Sequence, residues 1–171
     1  YDSHFNDIHK EVKESYEPQV ELLDVLETHL EQYHPNHKIT SVADSLPLKN
    51  ASLMVQEDLV LMLPRGEEYF LGAASLCAPS NWSLKEKFKN SLLGLHIHVP
   101  AYEKEIGSRV NNFFNNLPME KIFQRFNWSI YENSKLFQPA TSKSHIERSK
   151  TITEDNAGDR LFIRVERQTI R

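Results

Sequence analysis

The sequence predicts an α+β domain in which helices flank a mostly antiparallel sheet. Three observations carry this. Apolar residues recur every three or four positions over residues 6–33 and again over 102–117. Two short apolar runs meet across a Pro-Arg-Gly-Glu-Glu turn at 64–68. Strand-like segments return at 122–131 and 160–171, on either side of a long polar stretch. The order is helices, hairpin, two helices, then strands.

The first segment carries Ile8, Val12, Tyr16, Val20, Leu23, Leu26, Leu30 and Tyr33 on one helical stripe. Pro18 lacks an amide hydrogen and disfavours helix at Glu17, so two helices are expected to meet there. Residues 52–63 read as a strand, with Leu53, Val55, Leu59, Leu61 and Leu63 on one face and Met54, Val60 and Met62 on the other. Residues 69–77 supply its hairpin partner. The small run Gly72-Ala73-Ala74-Ser75 implies either a bulky neighbour or, more ordinarily, a tightly packed sheet. Gln56-Glu57-Asp58 interrupts the apolar run, and carboxylates there call for a bulge, an edge or a partner.

Ser83-Leu84-Lys85-Glu86 fits a capping box, with Leu84, Phe88 and Leu92 as its stripe and Gly94 as its end. Leu95-His96-Ile97-His98-Val99-Pro100 is expected as an extended link. The next helix carries Tyr102, Ile106, Val110, Phe113, Phe114 and Leu117, and Pro118 stops it. Residues 122–131 alternate, with Phe126, Trp128 and Ile130 on one side. Residues 138–159 form a polar stretch longer than most internal loops. In the final strand Leu161, Ile163, Val165, Arg167 and Thr169 share one face, and Phe162, Arg164, Glu166 and Gln168 the other.

Composition narrows the function classes. The 171 residues suit a single domain, 1–171, with room for a real core. A net charge of −4 lacks the broad basic footprint of a nucleic-acid binder. No apolar run is long enough to span a bilayer, and the N-terminus lacks the order of a signal peptide. The single cysteine, Cys77, excludes an intrachain disulfide and multi-cysteine metal sites, and suits a cytoplasmic setting. The chain lacks an initiator Met and stops inside an expected strand, so a longer protein is expected. No phosphate-binding Gly-rich loop, HExxH, GxSxG or kinase signature is present.

Four groups of residues remain as candidates. His96 and His98, if extended, would point the same way, and imidazole ligates iron, copper or zinc. The ordinary alternative is one satisfied buried histidine and one on the surface. Arg164, Glu166, Arg167 and Gln168 would hold a small polar ligand or a cofactor carboxylate, or simply form cross-strand ion pairs. Cys77 is a candidate thiolate ligand or a small buried hydrophobe. Phe113, Phe114, Phe126 and Trp128 would wall a flat macrocycle, or serve as ordinary core.

Five segments occur in order that together resemble the heme-dependent oxidative N-demethylase family: VQEDLVLML, CAPSNWSLKEKF, LHIHVPAYEKEIGSRVNNFF, RFNWSIYENSKLF and RVERQTIR. They run from Val55 to Arg171. The resemblance implies a PAS-like fold that binds heme b and uses dioxygen as a monooxygenase. A small alkylamine would be oxidised at an N-methyl group, releasing formaldehyde, with electrons from a separate NADPH-dependent flavin and iron–sulfur reductase. Carried over by position, His96 is the first choice for axial iron ligand and Cys77 the competing one. Phe113 and Trp128 would line the cofactor. Arg164, Glu166 and Arg167 would orient substrate, donate to bound oxygen or neutralise a propionate. The family continues past RVERQTIR, and its N-terminal portion is incomplete here, so a fragment truncated at both ends is expected. The rival reading is a non-enzymatic PAS-like sensor that binds heme or another small molecule.

Overall fold

The computed structural model describes residues 4–38, 46–97, 99, 101–139 and 152–171. The chain is α+β, as expected, and its strands pair antiparallel in two separate sheets. A short helix α1 (Phe5–Ile8) leads into β1 (His9–Glu11), a 3-10 turn (Lys13–Ser15) and the long helix α2 (Tyr16–Tyr33). Then come α3 (Pro47–Met54), β2 (Leu59–Arg65), β3 (Glu68–Ser75), α4 (Leu84–Lys87) and α5 (Leu92–Leu95). A π-helical turn (Glu103–Gly107) feeds α6 (Ser108–Asn115). The remaining elements are β4 (Phe123–Tyr131), α7 (Ala157–Arg160) and β5 (Phe162–Ile170). His98, Pro100 and residues 140–151 of the polar stretch lie outside the described residues.

The N-terminal segment differs from its expected form. The break falls at residues 9–15, where β1 pairs with β3 (His9 opposite Ser75, Glu11 opposite Ala73). Three residues are too few to show a strand period, and Ile8 and Val12 happen to fit the helical one. Pro18 sits in the first turn of α2, where a backbone N–H has no intrahelical acceptor to lose.

Residues 52–54 are the end of α3, not the start of a strand. Pro47 occupies the first turn, and Leu48 and Ala51, three apart, are fully buried beneath it. The strand begins only at Leu59. With β3 it forms the expected hairpin, closed by Gly66 at φ +64°.

β3 is the middle strand of the order β1-β3-β2 and is buried on both faces. On one side Ala73 and Leu59 meet Leu48 and Ala51, with Leu22, Leu23 and Leu26 of α2 behind them. On the other, Leu71 and Ala74 meet Leu76 and Leu84, with Trp82, Phe88 and Leu95. The pairing slips between Leu61 and Met62, which face Ala73 and Leu71 and leave Gly72 between them. Leu61 and Met62 serve opposite cores as strand neighbours do, and the slip puts Ala73 and Leu71, two apart on β3, on opposite cores as well. Gly72 is required there, since a Cβ would stand 2.5 Å from the Leu63 side chain. The small-residue run therefore marks tight packing.

The expected helix from Ser83 to Gly94 is split in two. Ser83 caps α4, its Oγ accepting from the Glu86 amide at 3.2 Å, the first of the two bonds of the expected capping box. Lys89 then turns to φ +67°, and the edge of β3 captures the chain: the Leu71 amide donates to the Asn90 carbonyl and the Lys89 amide to that of Leu71. Ser91 caps α5 anew, accepting from Gly94. Gly94 lies inside this helix rather than ending it.

β4 and β5 form a two-stranded ribbon, paired from Phe123 opposite Ile170 to Tyr131 opposite Phe162. Trp128 faces Val165 and Ile130 faces Ile163, so the apolar side chains of both strands share one side. Trp128 is 67% exposed and Ile163 73%.

Candidate functional site

His96 follows α5 immediately. Leu92 and Leu95 anchor that helix in the core, and Lys87, itself buried, donates from Nζ to the Gly94 carbonyl at 3.1 Å. These contacts fix where the histidine emerges. Its backbone (φ −104°, ψ 13°) closes a turn and is not extended, so the expected strand-like alternation of His96 and His98 does not apply.

The imidazole is held on two sides. Nδ1 lies 2.8 Å from the Leu92 carbonyl, four residues back. A carbonyl only accepts, so Nδ1 carries the proton and Nε2 keeps the lone pair. The ring also stacks on Tyr102, centroids 4.4 Å apart and planes within 5°. Burial holds the imidazole below its ordinary pKa against the opposing effect of the Leu92 bond, and the Arg125 and Lys87 charges act in the same direction as burial. A neutral ring with Nε2 unprotonated is the form that ligates a metal.

Tyr102 is 5% exposed, and its hydroxyl has no hydrogen-bond partner among the described residues. The backbone beside it is unusual: Ala101 stands at φ +59°, a left-handed conformation uncommon for a residue with a Cβ, and the π-helical turn follows at once. Burial raises the phenol's pKa, opposed by the charge of Arg125 on β4. Arg125 thus lies within electrostatic reach of both rings. Sequence periodicity placed Tyr102 in an apolar stripe and passed over Arg125. The available signal was chemical, since a buried tyrosine normally finds a partner for its hydroxyl.

Arg164 and Glu166 come together elsewhere, where the ribbon meets residues 77–81. Arg164 pairs with Glu166 (Nε to Oε1, 3.1 Å) and donates to the carbonyls of Leu136 (3.0 Å), Pro79 (3.5 Å) and Ala78. Glu166 accepts from the Ser80 hydroxyl. From beneath, the Asp58 carboxylate accepts the amides of Cys77 (2.6 Å) and Ala78 (3.0 Å). Burial holds the Asp58 carboxyl above the usual range despite those bonds. Gln138 completes the knot, its carbonyl accepting from the Asn81 amide at 3.0 Å. Asp58 is therefore the paired carboxylate that the Gln56-Glu57-Asp58 interruption required.

The other candidates are dispersed. Arg167 sits opposite Phe126 on the far side of β5 from Arg164. Phe113 packs edge-on against Phe114 and Phe123. Trp128 lies on the exposed apolar side of β4, the side opposite Arg125. The Cys77 side chain reaches solvent, yet partial burial and the Asp58 charge raise its thiol pKa.

His96 presents a neutral imidazole with Nε2 unprotonated, and Cys77 a solvent-reaching thiol whose pKa is raised. A metal ion deprotonates a thiol that it binds, so both side chains keep the chemistry of a ligand. The described residues gather no group of three or more His, Cys, Asp or Glu suited to a metal ion. No helix among them is long and apolar enough to cross a membrane.

The family model described as "Haem-dependent oxidative N-demethylase, alpha subunit-like" matches residues 2–171, and the chain belongs to that family. The description is that of a heme-dependent oxidative enzyme and of an alpha subunit.

Proposed function

We propose that this chain is the heme-binding part of an oxidative N-demethylase acting on a small alkylamine, with His96 as the axial ligand. The observation that carries the reading is the bond from His96 Nδ1 to the Leu92 carbonyl at 2.8 Å. It fixes the tautomer that leaves Nε2 available and restrains the ring in the orientation set by α5. Tyr102 covers one ring face, so the imidazole has little freedom to rotate. Heme b, when bound, supplies the activation of dioxygen that side chains lack. In this reading the two antiparallel sheets belong to a PAS-like frame, and Phe113 supplies apolar wall on α6.

Arg164 and Glu166 serve as positioning residues. The guanidinium already spends its donors on three carbonyls and a carboxylate, so its work is to hold the 77–81 segment against the ribbon. Arg167, outside that knot, retains the role of meeting a substrate or partner. Electrons would come from a separate NADPH-dependent reductase, as the alpha-subunit description of the family makes reasonable.

Purified protein titrated with hemin should develop a Soret band, and its ferrous carbon monoxide adduct should show an imidazole-type rather than a thiolate-type position. His96→Ala should abolish that signature, whereas Cys77→Ala should retain it. With reductase, NADPH and dimethylamine, formaldehyde should be released. Heme binding without amine-dependent formaldehyde would favour a sensor, and no Soret band at all would refute the assignment.

A further inference from the structure

We infer that the outer edge of β4 pairs antiparallel with the same strand of a second copy of this chain, about a two-fold axis at Asn127. The contact is independent of the heme reading.

Among the described residues the ribbon has only two strands, and residues 123–130 make no backbone bond there except to β5. Alternate residues along β4 therefore point an amide and a carbonyl outward with no strand to meet them, and a two-stranded ribbon is marginal without a third. Gln124 through Trp128 are exposed on both sides of the strand, whereas Arg164, Glu166, Gln168 and Ile170 of β5 are half-buried. Phe123 and Tyr131 hold β4 only at its ends, so its middle stands away from the rest of the described chain. Natural edges are commonly guarded by charge, proline or a bulge. β5 is guarded by Arg164, Glu166 and Arg167; β4 carries Arg125 alone, with no proline and no break in its pairing. The strand's own sequence names the occupant. Reversed on itself at Asn127, β4 sets Phe126 of each copy opposite Trp128 of the other, Arg125 opposite Ser129 and Gln124 opposite Ile130. Aromatic pairs form the centre, no like charges meet, and the apolar sides of both copies fall on one side of a four-stranded sheet. Asn127 is also the midpoint of β4, so this register gives the longest overlap.

The test is sedimentation equilibrium of the whole chain, from dilute to concentrated solution, beside Phe126→Lys and Val165→Lys. Both residues are exposed and lie on the same side of the ribbon. The wild type should pass from monomer to dimer. Phe126→Lys alters both central pairs and should weaken the dimer about tenfold. Val165→Lys, on β5 and away from the shared edge, should leave its affinity unchanged. Asn127→Cys in a Cys77→Ala background, labelled with pyrene, then reports position. Across a shared edge the two Cβ atoms stand about 5 Å apart and the labels give excimer emission. Copies stacked through their apolar sides would point the labels away from each other, because Asn127 faces the opposite side from Phe126 and Trp128. That readout stands even where a lysine variant does not fold. A chain that stays monomeric at every concentration, a dimer that Phe126→Lys leaves intact, one that both lysine variants weaken alike, or one without excimer would overturn the inference.

Discussion

β3 and the β4–β5 ribbon are both rich in apolar side chains, yet they use them in opposite ways. β3 is buried from Phe70 through Ser75, with a core on each face. The ribbon leaves Phe126, Trp128, Ile163 and Val165 facing solvent, while Tyr131 at its end is buried and contacts at Arg164, Glu166 and Phe123 tie it to the rest of the described chain. The difference shows that alternation of apolar residues predicts which side chains share a face, but not whether anything covers that face. Burial belongs to the neighbours a strand acquires.

The largest effect that would test this contrast is in β3. Leu71→Ala removes a fully buried side chain and should cost about 2–5 kcal/mol, read from the urea midpoint. A loss below 1 kcal/mol would mean that the site is not packed as described. Next comes the knot. Arg164→Met should cost about 1–3 kcal/mol, because Glu166 and three carbonyls lose a little-exposed partner. Hydrogen exchange should quicken at the amides of residues 77–81 while β3 stays protected. Uniform protection would show that the ribbon is held by something else.

A smaller effect concerns pH. His9 is buried between Phe5 and the Glu11 carboxylate, with Lys10 and Lys49 nearby. Burial lowers its pKa below 6.5 against the pull of Glu11. The unfolded chain therefore takes up that proton first, so the contribution of His9 is complete above about pH 6.5 and is lost as pH falls. Asp58 acts with the opposite sign, because its folded carboxyl keeps a proton to higher pH than the unfolded one. The cost of ionising it is thus relieved only on acidification toward the carboxylate range. Between pH 7.5 and 5.5 the stability of the wild type should fall, with His9 contributing at most about 1.4 kcal/mol per pH unit, and His9→Gln should reduce that slope. An unchanged slope would place the responsible proton elsewhere. Smallest of all is Trp128→Ser, on the open face of the ribbon, which should change stability by less than about 0.5 kcal/mol. A cost of several kcal/mol would show that this face is covered in solution.

Much of the secondary structure was legible where the signal is local. The hairpin turn at Gly66, the capping box at Ser83 and the alternation of β4 and β5 all depend on neighbours in sequence. β1 was not, because three residues pairing with a strand more than sixty positions away leave no period to read. The division between α4 and α5 was also hidden, since it comes from the edge of β3 capturing the backbone of Lys89 and Asn90. At the site, His96 was legible as a chemical type, but its bond to Leu92 depends on α5 ending where it does. Tyr102 was read as part of a stripe, because an orphaned hydroxyl can be recognised only once its surroundings are known.

By itself the sequence determined the α+β class, the hairpin turn, the faces of the ribbon, the family and the residues able to do chemistry. Periodicity, turn chemistry and ordered motifs are properties of the chain alone. The tertiary structure decided which apolar faces were covered, which carboxylate found its amides and which imidazole nitrogen kept its lone pair. Burial and hydrogen bonding are set by what arrives from distant parts of the chain, and the free energy of a polar group depends on that company.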